Sequence, residues 1–511
     1  MKLLTASQMK NAELLADCEG LSQAVLMENA AKAAAELICL RAKPCRAVAV
    51  CGNGNNGGDG FLCAAHLAEA GFSCSIILGV GNPGTAAAQL AFDKIEDKLE
   101  LVDFRGDEDG ATELICAADV LIDAVFGIGF HDETDETTAR LLGIMNSSHA
   151  LKFSLDIPSG CHADDGSADK NAFRADITIA FGACKPAHFI CPSAKKCGGT
   201  ELADIGIKPE IFEQYGTVEL VEEAFVKERL IVRDKYANKG EFGRTLVLAG
   251  QPGMCGAAKL AAKGASKAGS GLVELFSDKR IGGSIAADLT VQMTNFYTTD
   301  AYETMGYGHI DERGVQSIYE QAKRATAIVA GCGWGSGSDR ADIVFELADR
   351  TDVPIVLDAD ALNSIAEYPE LLGQYGKRLI MTPHPGEFAR LTGIPIVELL
   401  EKKLNTAVEF AKQNDLVLLL KGADTIITDG DRVCVVAEGS PAMAKGGSGD
   451  LLAGVIGGFA AQGVEPFDAA CMGAWCCGKA GRLAAGKYSI TAADATNTLE
   501  MLSQVFLKLE K

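Results

Sequence analysis

The chain has 511 residues, 48% hydrophobic and 23% charged, ordinary globular material long enough for two cores or more. Its net charge of -22 excludes a sequence-independent nucleic-acid binder, which neutralises phosphates with clustered Lys and Arg. Small-molecule partners are expected instead, with any phosphate held by backbone N–H groups, helix N-termini and a few local lysines.

Seventeen cysteines form no C-x-x-C pair, and the cluster Cys471, Cys476 and Cys477 has no His at zinc-ligand spacing. They read as free buried thiols in a reducing cytoplasm. The N-terminal stretch has no apolar core of signal-peptide length, and no apolar run reaches membrane-spanning length. A cytoplasmic protein that engages no membrane is expected.

In chain order, "RAVAV", "CSIIL", "DVLIDAVFG", "HALKFSLDIPSG" and "DITIAFGA" are short apolar strands separated by helix-like stretches, up to about Gly206. Such repeated units predict a mostly parallel sheet with helices on both faces. After the first strand, Gly52, Gly54 and Gly57 satisfy G-x-G-x-x-G, and Gly60 to Ala70 has helical apolar spacing. A dinucleotide fold also wants an acid at the end of the next strand, and "CSIILGV" runs into Gly79, Val80, Gly81 and Asn82 with none. The turn "NGNNGGDG" carries three Asn and an Asp, which points to polar work of its own.

The acid-rich stretch from about Pro209 to Arg233 reads as a boundary, which gives domains at 1–215 and 225–508. From "RTLVLAG" onward a second α/β series follows: "ATAIVAGCGWG", "VPIVLDADAL", "RLIMTPHPGEFARL" and "LVLLLKGADTIITDGDRVCVV", with a hairpin turn at Asp429-Gly430. In "GSPAMAKGGSGDLLAGVIGG" the glycines Gly446, Gly447 and Gly449 uncover backbone N–H groups where an apolar helix opens, which makes an anion cradle. Asp450 in that cradle has two readings: a helix N-cap, or a base that deprotonates a hydroxyl while the amides hold a phosphoryl group.

"GGSGD" resembles the anion hole and catalytic Asp of the ribokinase-like superfamily, and "TPHPGEFARL" with "LKGADTIITDG" narrows the resemblance to ADP/ATP-dependent NAD(P)H-hydrate dehydratases. "GNGNNGGDG", "DAVFGIGF" and "DIPSG" resemble the NAD(P)H-hydrate epimerase domain. Together they cover nearly the whole chain, in the order of bifunctional nicotinamide nucleotide repair enzymes. The fold implied is α/β in two domains, an N-terminal Rossmann-like three-layer domain and a C-terminal ribokinase-like doubly wound domain.

The resemblance implies a role for each matching residue. In the first half Asp156 is the catalytic, substrate-contacting acid, with Lys185 an electrostatic candidate. Asn56, Gly57, Gly58 and Asp59, and the loop Gly127, Ile128, Gly129, Phe130, His131, Asp132 and Glu133, line the hydrated nucleotide. Asn55, Asp123 and Ser159 hold a potassium ion; the other reading of Asp123 is a strand-end acid capping the next turn.

In the second half Asp450 is the catalytic base, and Ala258, Gly333 and His384 contact the hydrated nucleotide. Lys421, Gly422, Ala423, Asp424, Thr425 and Gly449 bind ADP, which comes with Mg2+. "GCGWG" departs from the Pro and Leu that relatives tend to have, and Trp334 is expected at a loop tip, where it could alter stacking. The partners implied are NAD(P)H hydrates and ADP, and a homo-oligomer is expected. The competing readings are a vitamin or sugar kinase with a nucleotide-binding N-terminal module, and a first half that only senses NAD(P) state.

Overall fold

The computed structural model describes residues 1–299 and 308–511 and contains two compact units, Lys2–Glu219 and Leu220–Leu399 with Asn405–Lys511. Among the described residues no helix is long and apolar enough to cross a membrane. None of the seventeen cysteines is disulfide-bonded; Cys18, Cys39 and Cys116 are exposed rather than buried.

In the first unit β1 (Lys2–Leu3) pairs antiparallel with β9 (Val218–Leu220). The main sheet contains β2 (Arg46–Cys51), β3 (Ser73–Leu78), β4 (Glu100–Asp103), β5 (Val120–Ala124), β6 (Leu151–Leu155), β7 (Ile177–Phe181) and β8 (Gly199–Ala203). They run in the order β4-β3-β2-β5-β6-β7-β8, with every pairing parallel. Both faces are covered. Ala47, Ala49 and Cys51 of β2 join one core with Leu26, Ala30 and Phe61, while Val48 and Val50 join another with Ala111, Ile115 and Leu141. This is the period-two alternation of a strand buried on both sides. β4 and β8, which no apolar run announced, are the two edge strands, half-exposed for most of their length.

The glycine-rich stretch after β2 is not a free turn. The helix begins at Asn55 and runs to Glu69, five residues before the apolar spacing suggested, so Asn55 to Asp59 are its first turns. The glycines serve close approach. A Cβ on Gly57 would lie 2.0 Å from the Gly52 carbonyl oxygen, and one on Gly52 would lie 1.9 Å from that of Val125. The helix start is thereby seated on the gap between the ends of β2 and β5, where the strand order reverses and open α/β sheets bind ligands.

In the second unit β10 (Arg244–Leu248), β11 (Leu272–Asp278), β12 (Met293–Tyr297), β13 (Ala327–Ala330), β14 (Ile355–Leu357), β15 (Leu379–Met381) and β16 (Val417–Leu420) are followed by a hairpin, β17 (Thr425–Thr428) and β18 (Val433–Val436). The order is β18-β17-β16-β15-β14-β13-β10-β11-β12. It is parallel from β12 to β16 and antiparallel in the hairpin, whose turn spans Asp429-Gly430. One face packs on the helices Cys255–Lys267, Ser448–Ala461 and Pro466–Tyr488, with Val247, Val329, Val356 and Ile380 in a common core with Ala261, Val455 and Met472. Gly447 caps the helix Ser448–Ala461 with φ +95°, a left-handed conformation that glycine adopts without a Cβ penalty.

Gly57→Ala should cost about 1–3 kcal/mol, the usual penalty of overpacking, because the obstructing atom is backbone and cannot swing away. Gly143→Ala, in a helix with nothing within 4 Å of the added carbon, should instead stabilise by up to about 1 kcal/mol through helix propensity. Urea midpoints of the two variants, at unchanged slope, check both signs.

Candidate active sites

Both sites are built at the carboxyl ends of parallel strands. In the first unit Asp156 follows β6 directly, with φ +63°, a conformation that non-glycine residues hold only where the surroundings enforce it. Its carboxylate accepts from the Lys185 ammonium and from the Phe181 N–H at 3.2 Å. Lys185, 0% exposed, also donates to the Phe181 carbonyl at 3.0 Å. His188 donates from Nε2 to the Asp156 carbonyl at 2.7 Å and accepts from the Lys185 N–H at Nδ1 at 2.9 Å. Burial, and then the Lys185 charge, push the imidazole down to about 4. It therefore stays neutral and fixes both ends of the ion pair.

Asp123, 0% exposed, closes β5. It accepts from Ser154 Oγ at 3.0 Å, Ser159 N–H at 2.8 Å, Ser159 Oγ at 2.5 Å and Val125 N–H at 3.3 Å. All these partners are neutral, and burial pushes the carboxyl up to about 6. Ser159 Oγ in turn accepts from the Phe126 N–H at 2.8 Å. Asp123 and Ser159 are thus in direct contact. Asn55 is not drawn into that contact: its Oδ1 accepts from Thr85 Oγ1 at 2.6 Å.

Asn56 donates to the Phe126 and Leu155 carbonyls at 2.9 and 3.3 Å, which clips the helix start to the ends of β5 and β6. Gly57 and Gly58 are buried beneath it, and Asp59 is half-buried. Burial, then the charges of Asp156 and Glu13, push the Asp59 carboxyl well up. In the loop Gly127 to Glu133, Phe130 is the anchor, stacked on Phe126 with centroids 4.9 Å apart. Gly127 and Ile128 are half-buried, and Gly129, His131, Asp132 and Glu133 are exposed.

In the second unit Gly331 to Trp334 follow β13, Asp358 follows β14, Thr382 to His384 follow β15 and Lys421 follows β16. Asp450 lies in the first turn of the helix Ser448–Ala461, but Gly447 is the cap and no side chain caps this end. The N-cap reading of Asp450 is therefore overturned: the conformation that starts the helix is left-handed, and glycine supplies it. The carboxyl is pushed up to about 6 by burial and then by the neighbouring Asp358, against the Cys332 thiol that hydrogen-bonds it. Donor atoms of Cys332, Asp358 and Asp450 lie within 4.8 Å of one another.

Asp358 is buried and accepts from Lys421 Nζ at 2.6 Å and Thr382 Oγ1 at 3.0 Å. Burial would lower the Lys421 ammonium, but Asp358 and Glu387 hold it above its ordinary range. Gly449 covers this pair, since a Cβ there would meet Lys421 Nζ at 3.2 Å and Asp358 Oδ2 at 3.4 Å. Lys445 points away, to the Thr491 and Ala493 carbonyls, so it braces the loop. After Lys421, Gly422 and Ala423 are exposed and Asp424 is buried, and Thr425 Oγ1 donates to the Gly422 carbonyl at 3.0 Å.

His384 caps the helix Pro385–Thr392, with Nδ1 accepting from Gly386 and Glu387 N–H at 3.0 and 3.3 Å while Glu387 accepts from the His384 N–H at 2.8 Å. The ring is half-exposed and held at Nδ1, which leaves Nε2 for a ligand, 3.4 Å from Glu387 Oε1. Ala258 is fully buried under Gly250, and Gly333, with φ +59°, is buried against Met254. The loop-tip reading of Trp334 is overturned. It is 0% exposed, with the Arg340 guanidinium 5.8 Å from its ring, and is a core side chain beneath the loop.

Comparison with known proteins accords with these two edges. The family described as YjeF-related protein N-terminus matches residues 23–187, and that described as NAD(P)H-hydrate dehydratase matches residues 245–504. A bifunctional NAD(P)H-hydrate repair enzyme of Moorella thermoacetica is 35% identical over 100% of this chain and 98% of its own length. One from Thermofilum pendens is 31% identical over 98% and 95%. Among solved structures, an ADP/ATP-dependent NAD(P)H-hydrate dehydratase from Bacillus subtilis, co-crystallised with ATP/Mg2+, is 28% identical with TM-score 0.47, covering 57% of this chain and 99% of its own. A ribokinase-like superfamily protein from Enterococcus faecalis is 20% identical with TM-score 0.49, covering 57% and 96%. The chain is thus an enzyme with two catalytic domains. It belongs to the family of bifunctional NAD(P)H-hydrate repair enzymes.

The motifs did not single out Asp358, Cys332 or Glu387. The signal for Asp358 lay in "VLDADAL", where an acid directly follows an apolar strand. Because Asp358 raises the Asp450 carboxyl more than any other charge does, Asp358→Asn should bring it down from about 6. The freed Lys421 ammonium acts in the same direction. A carbon-detected NMR titration of the Asp450 carboxyl checks this; an unmoved or raised midpoint is the contrary result.

Proposed function

We propose that this chain repairs hydrated NADH and NADPH in the cytoplasm. Its N-terminal domain, 1–215, interconverts the R and S hydrates, and its C-terminal domain, 225–508, returns the S hydrate to NAD(P)H while ADP becomes AMP and phosphate. The observation that carries the reading is Asp450: a carboxyl free of any capping duty, at the mouth of a glycine cradle, titrating at about 6. A base that is ionised at neutral pH yet close to it in pKa suits proton removal from a hydroxyl.

Hydroxide is a poor leaving group. Asp450 takes the proton of the hydrate's hydroxyl, and the oxygen attacks the terminal phosphoryl group of ADP, releasing AMP. The phosphate then departs with its bonding pair as the ring nitrogen pushes, and loss of a ring proton restores the double bond. The N–H groups of Gly447 to Gly449 are placed to receive the phosphoryl charge at the helix start, and Lys421, held by Asp358, supplies a fixed cation beside them. Mg2+ bound with the nucleotide would screen phosphate charge, and Asp358 is the carboxylate beside the cradle that suits so hard an ion. His384 and the backbones of Ala258 and Gly333 face the hydrated nucleotide, and Gly422 to Thr425 face the ADP.

At the first site Asp156 is the catalytic acid-base group. Potassium fits the oxygen-only set of Asp123, Ser159 and Asn55. The supporting observation is that the Asp123 carboxylate is buried among neutral donors, with no lysine or arginine paired to it among the described residues. Bound there, the ion would supply that missing positive charge. Asn56 to Asp59 and the loop from Gly127 to Glu133 flank the substrate. A homo-oligomer suits the exposed apolar side chains of Val232 and Val291.

The two chemistries should separate by variant. Asp450→Asn should lower NADH recovery from S hydrate and ADP by about 100- to 10,000-fold, with nucleotide affinity nearly unchanged and epimerisation intact. Asp156→Ala should do the reverse. In the parent, dehydration should fall tenfold per pH unit below about 6, where the base is protonated. Accumulation of a stable phosphorylated product would point to an ordinary kinase instead.

Replacing potassium by sodium should slow epimerisation and leave dehydration alone, and Asp123→Asn should abolish that ion dependence. R-to-S conversion measured chromatographically in each salt decides it. Equal rates in both salts would count against the cation site.

A further inference from the structure

Glu13 lies outside every motif and before the matched N-terminal region, which starts at residue 23. It sits on the helix Ala6–Cys18, whose start is closed by a Thr5–Gln8 capping box and tied to the domain by Ala6 N–H donating to Asp164 Oδ1 at 2.6 Å. Just before it, Leu4 N–H donates to the Cys184 carbonyl at 2.9 Å, beside Lys185. Met9, one turn before Glu13 on the same face, packs on Gly182, where an added Cβ would lie 3.0 Å from its methyl. The next turn therefore falls at Phe181, the residue whose N–H and carbonyl hold Asp156 and Lys185. There Glu13 lines a cavity of about 80 Å³ with Asn55, Asp59, Met27 and Phe181.

The chemistry of the site leaves a role open. Asp156 is paired with the Lys185 ammonium and accepts the Phe181 amide, and losing a carbinol hydroxyl as water needs a proton donor besides it. Burial raises the Glu13 carboxyl; the Lys185 charge opposes it, ahead of the smaller contribution of Asp156. Among the described residues Glu13 has no hydrogen-bond partner, so its carboxyl is free to meet a ligand.

We propose, on the reading that this domain epimerises NAD(P)H hydrates, that Glu13 is a second catalytic residue of that site, the acid that acts with Asp156. In one direction the Glu13 proton goes to the hydroxyl, the C–O bond breaks with its pair leaving on water, and the ring-nitrogen lone pair forms a C=N+ bond. Water then adds to the other face, its lone pair forming the new C–O bond as the C=N+ π pair returns to the ring nitrogen, and its proton passes to Asp156. The reverse conversion exchanges the two roles. The cavity holds the departing water, and Asp59 and solvent return the proton between turnovers.

The test uses the full chain with ADP omitted and R/S interconversion followed chromatographically. Glu13→Gln should lower kcat for epimerisation by about 100- to 10,000-fold with KM little changed. Dehydration of S hydrate should stay within twofold. Glu13→Asp, which keeps the acid at a shorter reach, should recover part of the rate. In oxygen-18 water the parent should label the hydroxyl at the rate of epimerisation. A Glu13→Gln rate within threefold of the parent, or inversion without label uptake, overturns the proposal alone. A parent chain with no R/S interconversion overturns the functional reading as well.

Discussion

An ammonium held against a carboxylate at the carboxyl edge of a parallel sheet is the constraint on which each half of this protein depends. In one half it is Lys185 with Asp156, in the other Lys421 with Asp358. Each aspartate directly follows a central strand, and the lysine comes from the chain just beyond another. A buried pair contributes little net stability, because desolvating two charges offsets most of their attraction, but removing one partner strands the other at about 3–5 kcal/mol. The pair therefore specifies position more than it stabilises. Everything else at each edge is arranged around a charge that cannot move: His188 is kept neutral, Gly449 is kept without a side chain, and Asp450 is raised.

The left-handed backbone at these edges has the same origin. Asp156 has φ +63°, and Ala359, the residue after Asp358, has φ +46°. In both places the chain leaves a strand and must aim one carboxylate at a lysine while turning at once into the next segment. Such conformations cost of order 1–3 kcal/mol, and the hydrogen bonds to Asp156 and Asp358 are what hold them.

Much of this was legible in the residues, and the reasons for the rest are physical. Strands buried on both faces announce themselves as apolar runs, so β2, β3, β5, β6 and β7 and most of the second sheet were readable. β4 and β8 escaped because an edge strand is half-wet and carries a mixed pattern. The helix at Asn55 started early because glycine and asparagine read as loop formers, whereas here the missing Cβ atoms let a helix sit on the Gly52 and Val125 carbonyls. Trp334 read as a loop-tip side chain because four glycines surround it in "GCGWGSG"; glycines can equally let backbone wrap a buried indole. Asp156, Asp123 and Asp450 were found through motifs, but Glu13 and Asp358 belong to sites assembled from distant chain. No local pattern marks a helical glutamate whose significance is the strand end it faces.

The two edges solve one chemical problem from opposite sides. Both act on a hydroxyl next to a ring nitrogen, and both must make that oxygen leave. A phosphoryl donor turns it into a good leaving group, so the second site needs a base, an anion cradle and one fixed cation, the parts proposed for Asp450, Gly447 to Gly449 and Lys421. Without such a donor the oxygen must leave as water, so the first site needs a proton ready to give. Burial raises the carboxyls of Glu13 and Asp59, and crowding them with Asp156 around a single lysine places several proton-exchanging groups at one strand edge. The acidic excess in the first site and the glycine cradle in the second follow from whether phosphate is available to carry the oxygen away.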